Sequence, residues 1–418
     1  MTMELRVLRP ADWDHWYGML ELAFGGVPES PEERALWREV TCYDRSIGVW
    51  DDGEVVGTTG AFSFRITVPG GASVPAAGVT MVGVRPTHRR RGVLRSMMRR
   101  QLDDVRSWGE PLAVLTASEP GIYGRFGYGA ATYRMTARID TTHARLSVPQ
   151  VAENSHATYA TDGVRLRLSE PGTARAACEE VYAQAVTTRP GMLARRPGWD
   201  AVPVVDPESA REGASPLQCV LAEADGRTVG YARYAVRPAW DLSGPRGTVV
   251  LRDLEALTPA ARTALWQYLF GIDLTSVVEA GSLPVDDPLL QMVNDIRRCE
   301  VRVTDHLHVR LVDVGAALAA RTYQVPVDVV LDVTDDFCPW NSGRWRLTGD
   351  AKGASCERTR DAADLALSVR ELGAAYLGGT PLTALAAAGR VAELSEGALA
   401  EAASAFGGTV APWLPHGF

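Results

Sequence analysis

The order of apolar and polar residues predicts a chain of short strands with a few helices between them. A strand over residues 5–8 precedes a helix in which Trp13, Trp16, Tyr17 and Leu20 recur at helical spacing. Three further apolar stretches have the length and β-branched content of strands. The N-terminal segment therefore predicts a mainly antiparallel sheet that carries helices.

Turn residues and alternation define the next elements. An Asp-Asp-Gly sequence at residues 51–53 predicts a hairpin between two of these strands, and the meander continues through Val84. The apolar spacing after Gly92 indicates a helix, and a buried strand over 112–117 follows. Residues 132–139 alternate strictly between polar and apolar side chains, which is typical of a strand with one buried face.

The pattern partly repeats after a polar, turn-rich segment at about 140–163, which we interpret as a linker. Residues 164–186 indicate a strand and then a helix, and Asp225-Gly226 predicts another hairpin turn. In the following strand and helix, Thr258 is a natural N-cap before Pro259. The second half therefore resembles the first.

From about residue 300 the sequence predicts a β-rich third unit that closes with two helices rich in alanine and leucine. The predicted strands lie in residues 306–314, 327–336 and 343–349. His306 and His308 stand two residues apart, so a strand would place both on one face. We interpret that face as exposed to solvent, and a metal-binding pair is the alternative.

Length and charge bound the organisation and the partners. Because 418 residues exceed one ordinary core, we expect two or three domains. The order of the predicted elements divides the chain at 1–150, 151–295 and 296–418. A net charge of −8 argues against a nucleic-acid or membrane partner. The absence of a signal peptide and the six scattered cysteines favour a cytoplasmic protein with reduced thiols and no zinc site.

An arginine-rich bend contrasts with this acidic balance. Residues 89–95, Arg-Arg-Arg-Gly-Val-Leu-Arg, lie where a predicted strand gives way to a helix. The free N–H groups and positive dipole of a helix start attract anions, and arginines add bidentate partners for phosphate. The bend therefore predicts a pyrophosphate site, with a solvated basic helix start as the alternative.

Two motifs and the chain end carry a resemblance to a known family. Arg89-x-x-Gly92 fits the first four positions of the Gln/Arg-x-x-Gly-x-Gly/Ala signature of GNAT acetyltransferases, and Leu94 departs from the sixth. Together, the bend, the tyrosine- and glycine-rich residues 118–129 and the terminal Phe418 give the sequence a close resemblance to one family. This is the Eis (enhanced intracellular survival) family of N-acetyltransferases. The resemblance spans the whole chain.

This resemblance implies an α+β fold and a set of site residues. Two GNAT-like units with mixed, mainly antiparallel sheets and helices are expected before a sterol carrier protein-like α/β unit. Acetyl-CoA is the implied cosubstrate, without a metal. Tyr123 is the implied general acid, and the C-terminal carboxylate of Phe418 is the implied general base. The implied coenzyme-binding residues are Val82, Gly83, Val84, Arg90, Arg91, Gly92, Val93, Leu94, Arg95, Ser118 and Glu119.

The chemistry of acetyl transfer is compatible with these groups. A tyrosine with a pKa of ~10 can protonate a thiolate whose thiol pKa is ~8.5. An α-carboxylate with a pKa of ~3.5 is a weak base for an ammonium ion. It therefore requires burial or a relaying water, or it serves instead to attract and orient the cationic amine.

The resemblance also bears on the acceptor and the assembly. The expected acceptors are aminoglycoside-like polyamines, modified at one or several amines, in a homohexamer of two stacked trimers. The alternatives are a lysine-, protein- or other small-amine N-acyltransferase, or an apolar-ligand-binding protein with an idle GNAT site. Aromatic and acidic pocket candidates are Trp13, Phe24, Glu29, Glu32, Glu33 and Trp37. For Trp13 the alternative is a core position, of which its helical spacing with Trp16 is more typical.

Overall fold

Strands make up most of the regular structure in this computed structural model, which describes residues 3–147 and 163–418. The predicted linker lies largely outside these residues. The strands are β1 (Glu4–Val7), β2 (Ile47–Asp51), β3 (Glu54–Thr67), β4 (Ser73–Val84), β5 (Leu112–Thr116), β6 (Gly129–Ala130), β7 (Tyr133–Asp140), β8 (Arg165–Ser169), β9 (Leu193–Ala194), β10 (Gln218–Ala224), β11 (Arg227–Arg237), β12 (Trp240–Asp241), β13 (Gly244–Pro245), β14 (Gly247–Ala256), β15 (Thr275–Leu283), β16 (Arg302–Asp305), β17 (Leu307–Leu311), β18 (Val327–Thr334), β19 (Gly343–Asp350), β20 (Gly353–Arg358), β21 (Leu365–Ser368) and β22 (Val391–Glu393). The α-helices are α1 (Trp13–Ala23), α2 (Pro31–Val40), α3 (Val93–Ser107), α4 (Pro171–Ala185), α5 (Pro259–Phe270), α6 (Leu289–Met292), α7 (Val314–Ala319), α8 (Val369–Ala375), α9 (Leu382–Ala387) and α10 (Ala398–Phe406).

Internal packing groups the described residues into two compact units. The first unit contains the residues through Tyr133, then Arg189–Ala194 and Asp305–Phe418. The second unit contains the remaining described residues. N-terminal and C-terminal parts of the chain therefore share one unit. The three domain ranges expected from the sequence stay a prediction.

The first unit is built on an eight-stranded sheet with the order β1-β2-β3-β4-β5-β17-β6, and β9 pairs with β3. Strands β4 and β5 are parallel, and their register joins Ala76–Gly78 to 112–114. Beyond that register β4 continues to Val84 and β5 to Thr116. The ends of these two strands thus leave backbone groups for other partners.

Two of the predicted hairpins are confirmed, and their turns explain why. Asp52 and Gly53 have φ angles of 51° and 82°, and Asp225 and Gly226 have 51° and 75°. Both central residues of a type I′ turn need positive φ, which Asp-Gly sequences tolerate well. The turn chemistry alone therefore specifies β2–β3 and β10–β11.

Strand β17 differs from its sequence-based interpretation. The sequence placed it in the third unit, whereas it pairs antiparallel with β5, with Val309 opposite Val114. All five of its residues are buried, because it lies inside the sheet. His306 and His308 are only 7% and 5% exposed, so the predicted solvent-exposed face is wrong.

The second unit repeats much of this architecture, as its sequence pattern predicted. Its seven-stranded sheet has the order β16-β7-β15-β14-β11-β10-β8, with β14 and β15 parallel. The alternating strand β7 is confirmed, and its residues Met135, Ala137 and Ile139 are buried in this unit's core. Thr258 caps α5 as predicted, since its side chain accepts a hydrogen bond from the Ala261 amide.

The C-terminal part of the first unit carries a five-stranded sheet with the order β20-β19-β18-β21-β22. The predicted strands over β18 and β19 are confirmed, as are helices α8 and α9. A further helix, α10, follows them and was not predicted. Its alanine-rich sequence buries Ala402, Ala405 and Phe406.

Arg321 is buried beneath two of these helices, with 1% of its surface exposed. Its guanidinium donates hydrogen bonds to the carbonyl oxygens of Tyr376, at the end of α8, and Phe406, at the end of α10. Burial lowers the pKa of Arg321. Its charge is balanced by carbonyl dipoles at two helix C-termini, which attract cations.

We expect Arg321→Met to destabilise the first unit by roughly 3 kcal/mol, because it leaves buried carbonyl groups without donors. Thermal unfolding monitored by circular dichroism should show a lower midpoint. Arg346→Met is the control, since that exposed arginine pairs with Asp328 and Asp361 at the surface. Equal shifts for both variants would contradict the helix-end role.

Candidate active site

A cavity of about 940 Å³ lies in the first unit, beside the ends of β4 and β5. Its wall combines residues that are far apart in the sequence. They are Tyr17, Leu20, Glu21, Ala23, Phe24, Val27, Glu29, Trp37, Val79, Thr80, Met81, Val82, Gly83, Val84, His88, Arg89, Arg90, Gly92, Val93, Leu94, Arg95, Leu115, Thr116, Ser118, Glu119, Ile122, Tyr123, Arg125, Phe126, Phe337 and Phe418. The volume suits a ligand of coenzyme or drug size.

The arginine bend forms one side of this cavity at the start of α3. Gly92 precedes the helix with a φ of 84°, a left-handed value that glycine adopts without strain. As the N-cap residue, Gly92 has no side chain that could cap the first turn, which leaves its amide groups available to an anion. In the second unit, by contrast, Thr258 occupies the start of α5 and Pro259 removes a donor.

The arginines at this helix start are available to an anionic ligand. Arg89, Arg90 and Arg95 line the cavity. Within residues 3–147 and 163–418, none of them forms an ion pair with a carboxylate. His88 holds the bend in place through a 3.1 Å contact between its Nε2 and Asp51 Oδ2. The bend thus offers uncompensated positive charge beside open amides, which is the combination that binds pyrophosphate.

Strand β4 approaches the cavity through an irregular segment. Thr58 pairs with Gly83 and Gly60 with Thr80, so β4 has one residue more than β3 between these pairs. Met81 takes a φ of 54° at this bulge. A bulge turns a strand locally and disrupts its ladder. It brings the predicted residues Val82–Val84 to the cavity wall.

The structure places nearly all of the predicted coenzyme residues in the lining of this cavity. The exception is Arg91, which is exposed and is not part of the lining. Ser118 and Glu119 line the wall just after β5. The binding role of each residue stays a prediction.

Tyr123 stands on a short 3-10 helix, Pro120–Phe126, and faces the same cavity. Burial, with a smaller effect of the Glu119 charge, raises the pKa of Tyr123 to about 12. Its ring packs edge-on against Tyr128 at 6.0 Å. Among the described residues no group hydrogen-bonds to its hydroxyl, so the phenol proton is available to a bound molecule.

Phe418 ends the chain on the same cavity wall. Its ring is half-buried and packs edge-on against Phe64 of β3, with ring centroids 5.2 Å apart. Trp413 and Leu414, just before it, are 5% and 0% exposed. The chain end is therefore docked, and the structure brings the predicted acid and the predicted base to one cavity.

The cavity residues on α1, on α2 and between these helices are aromatic and acidic, and we call them the acidic wall. Phe24, Glu29 and Trp37, three of the predicted acceptor residues, line it. Trp13 does not, because it is 1% exposed in the core and donates its Nε1–H to Thr41 Oγ1. The helical spacing that placed Trp13 on one face with Trp16 reflected core packing.

Glu32 and Glu33 also lie outside the cavity wall. Glu33 forms a capping box at the start of α2, where it accepts a hydrogen bond from the Ser30 amide at 3.2 Å. Its own amide donates to Ser30 Oγ at 3.1 Å. Glu32 is exposed in the same turn. Both positions are those where acidic residues favour a helix start.

Two carboxylates remain on the acidic wall, and they differ in their partners. Glu21 forms a 2.6 Å ion pair with Arg34. Glu29 accepts a hydrogen bond from the Tyr17 hydroxyl and, among the described residues, forms no ion pair. Although Glu29 is exposed, desolvation by the wall raises the pKa of its carboxyl. A bound ammonium group would relieve this unfavourable charge.

Some lining residues were not predicted. Tyr17 and Glu21 lie on α1, where a turn of sequence separates them on one helix face. Phe337 comes from the loop after β18, more than 200 residues from the arginine bend. No local pattern links Phe337 to the site. Tyr17 and Glu21 lie one turn apart on α1, but nothing in the sequence indicated that this helix face lines a cavity.

The described residues contain neither a metal-binding cluster nor a helix that could span a membrane. Within residues 3–147 and 163–418 there is no group of three or more histidine, cysteine or acidic residues arranged to hold a metal ion. The helices in that part of the chain are all too short or too polar to span a membrane. The predicted free cysteines are found, five of them buried.

Comparisons with known proteins agree with this geometry. Residues 4–131 and 191–311 each match an acetyltransferase (GNAT) domain, and residues 314–415 match a sterol carrier protein domain. An uncharacterized N-acetyltransferase of Streptomyces avermitilis is 66% identical over the full length of both chains. The N-acetyltransferase Eis of Mycobacterium tuberculosis is 34% identical over 90% of this chain and 91% of its own. The crystal structure of Eis1 from Mycobacterium abscessus superimposes with a TM-score of 0.83 and 33% identity, covering both chains completely.

An uncapped, arginine-lined helix start beside diverging parallel strands, in a chain with two GNAT domains, defines an N-acetyltransferase of the GNAT superfamily. The chain belongs to the Eis family of these enzymes. The predicted family, enzyme class and α+β fold with a C-terminal sterol carrier protein-like domain are confirmed.

Proposed function

We propose that this enzyme transfers acetyl groups from acetyl-CoA to amines of aminoglycoside-like polyamines, at one or several positions. The observation that carries this proposal is that one cavity is lined both by the arginine bend and by the acidic wall. At a helix start, the bend has arginines that form no ion pair within the described residues, and the acidic wall presents Glu29 among aromatic rings. The first suits a diphosphate, and the second suits a cationic, sugar-like molecule.

The residues present fit acetyl-CoA. The open amides of the first turn of α3, with Arg90 and Arg95, would hold the pyrophosphate. The backbone of Val82–Val84 lies on the cavity wall and would pair with the pantetheine arm. When bound, acetyl-CoA supplies an acetyl thioester for transfer to nitrogen.

The roles of the chain's own groups follow from the chemistry of this transfer. The carboxylate of Phe418 would attract the acceptor ammonium, orient it and take a proton directly or through water. A backbone amide near Val84 would donate to the carbonyl oxygen as negative charge develops there. Tyr123, kept protonated by its burial, would give its proton to the departing thiolate.

We also propose that the enzyme is a cytoplasmic homohexamer of two stacked trimers, with no nucleic-acid or membrane partner. Support for the assembly comes from the family resemblance. Support for the lack of polyanionic partners comes from the net charge of −8.

A panel of amines tests the proposed acceptor class. The panel contains a kanamycin-type aminoglycoside, a linear polyamine, a lysine peptide and a monoamine with no other charged group. Release of the CoA thiol and the mass of the products are measured. We expect the aminoglycoside to give the highest kcat/KM and products heavier by one or more acetyl groups. Preference for the peptide would favour a protein N-acyltransferase instead. Coenzyme binding by calorimetry without turnover on any amine would overturn the proposal.

Glu29→Gln probes the acidic wall within the same panel. We expect KM for the aminoglycoside to rise about fivefold, because a partly desolvated ion pair is worth on the order of 1 kcal/mol. KM for the monoamine and for acetyl-CoA should stay within about twofold. Glu32→Gln is the matched control, since it removes the same charge outside the cavity wall. An equal rise of KM in both variants would mean that Glu29 acts only through the net charge of the region and does not contact the acceptor.

A further inference from the structure

We infer that Phe64 and the segment Arg189–Ala194 form a seat that positions the C-terminal residue for catalysis. This inference rests on the proposed function, in which the Phe418 carboxylate handles the acceptor amine. The residues of the seat are positioning residues, because they act through Phe418.

Phe64 provides the inner surface of the seat. It is 2% exposed in β3, and its ring meets the ring of Phe418 edge-on at 5.2 Å. Gly78 on β4 makes room for both rings, because a Cβ there would lie 2.4 Å from Phe64 Cδ2 and 3.2 Å from Phe418 Cε2. A side chain at position 78 would therefore displace the Phe64 ring, the Phe418 ring or both.

The seat lies where β4 and β5 stop pairing. Gly78 is the last β4 residue in register with β5, opposite Val114. Gly417 runs beside the end of β5, since a Cβ there would lie 3.8 Å from Thr116 Oγ1. The last two residues of the chain thus lie where β4 and β5 stop pairing. Contact of the Phe418 ring with Phe64 fixes the position of the chain end there.

The segment Arg189–Ala194 holds the preceding part of the tail. Leu193 and Ala194 form β9, which pairs with the β3 residues Ile66 and Arg65. Pro190 accepts a hydrogen bond from the Trp413 amide at 2.9 Å, and Arg189 donates to the Ala411 carbonyl at 2.5 Å. The strand that carries Phe64 therefore also anchors the segment that grips the tail.

These contacts restrain a chain end that would otherwise be free to move. Terminal residues are usually poorly ordered unless they are tied down. A catalytic group displaced by about 1 Å can lose about 10²-fold in rate. A seat on a central strand, with an upstream grip, reduces that displacement without placing any further group in contact with the substrate.

The first test is independent of catalysis. A carboxypeptidase that removes C-terminal aromatic residues is incubated with the native full-length enzyme, and phenylalanine release is followed by mass spectrometry. We expect Phe64→Ala to speed release about tenfold, the factor that one aromatic contact supplies, and Phe64→Leu to show a smaller increase. Leu347→Ala controls for general loosening, since Leu347 is fully buried in the other sheet of the same unit. An unchanged release rate in Phe64→Ala, or an equal rise in Leu347→Ala, overturns the seat.

The second test uses kinetics. Phe64→Ala should lower kcat by about 10- to 10²-fold with KM for acetyl-CoA nearly unchanged, and Phe64→Leu should restore part of kcat. In a chain lacking Phe418, adding Phe64→Ala should change kcat by less than about twofold. If the losses of kcat from Phe64→Ala and from removal of Phe418 multiply in the double variant, the positioning role of Phe64 is wrong. If removing Phe418 has no effect on kcat, the proposed base is wrong, and the protease result still decides the seat. Gly78→Ala serves as a second seat variant if Phe64→Ala does not fold.

Discussion

Removal of Phe418 is expected to lower kcat for amine acetylation by about 10³-fold while coenzyme affinity changes by less than about threefold. General base catalysis contributes about 10²- to 10⁴-fold, and the deletion also shifts the carboxylate by one residue, away from the seat on Phe64. The predicted coenzyme contacts lie on β4, α3 and the residues after β5, so they remain. Steady-state kinetics and calorimetry with CoA measure the two quantities.

Two matched variants separate the carboxylate from the ring. Phe418→Ala keeps a carboxylate at the same chain position and removes the ring. One added C-terminal glycine keeps the ring and moves the carboxylate. We expect the added glycine to approach the deletion in its loss of kcat and Phe418→Ala to lose less. A variant with the added glycine that retains full kcat would exclude the terminal carboxylate as the base.

Tyr123→Phe is expected to lower kcat by about 10²- to 10³-fold with little change in acetyl-CoA affinity, because only the proton donor is lost. The remaining ring keeps its packing against Tyr128, so folding should be preserved. Tyr128→Phe is the matched control. Its buried hydroxyl has no hydrogen-bond partner among the described residues, so its removal should leave activity intact and stability equal or higher. Similar kinetics for the two variants would contradict the role of Tyr123.

The pH dependence follows from the same phenol. A general acid must be protonated to act, and a pKa of about 12 keeps Tyr123 protonated through the neutral and mildly alkaline range. Deprotonation can therefore remove activity only as the pH approaches that value. We expect the pH profile of kcat to show no fall attributable to Tyr123 up to about pH 10. A fall with a midpoint near pH 9 that disappears in Tyr123→Phe would contradict this assignment.

Local chemistry explains which elements could be predicted from the sequence. Asp-Gly pairs fixed two hairpins, and the Thr258-Pro259 pair fixed the start of α5, because each signal acts within a few residues. The arginine bend was recognisable for the same reason. Its glycine, its arginines and its helix start are contiguous in the sequence. Every residue of the bend except Arg91 lines the cavity.

Partners distant in sequence could not be predicted. Alternation predicts one buried face for β7, and residues 306–314 predict a strand, but neither pattern identifies the sheet that the strand joins. His308 therefore seemed exposed, although β5 and β6 flank its strand. Similarly, Trp13 and Trp37 are both tryptophans on predicted pocket positions, yet Trp13 packs in the core and Trp37 lines the cavity.

The sequence by itself determined the family resemblance and the positive helix start, because these depend on residue type and short spacing. The acid and base roles of Tyr123 and Phe418 are implied by that resemblance and stay predictions. Only the tertiary structure decided that Phe337 and Phe418 line the same cavity as residues of the N-terminal third. It also decided that Phe64 and Arg189–Ala194 hold the chain end. Such contacts depend on how strands pair across hundreds of residues, and pairing is selected by the packing of the whole unit.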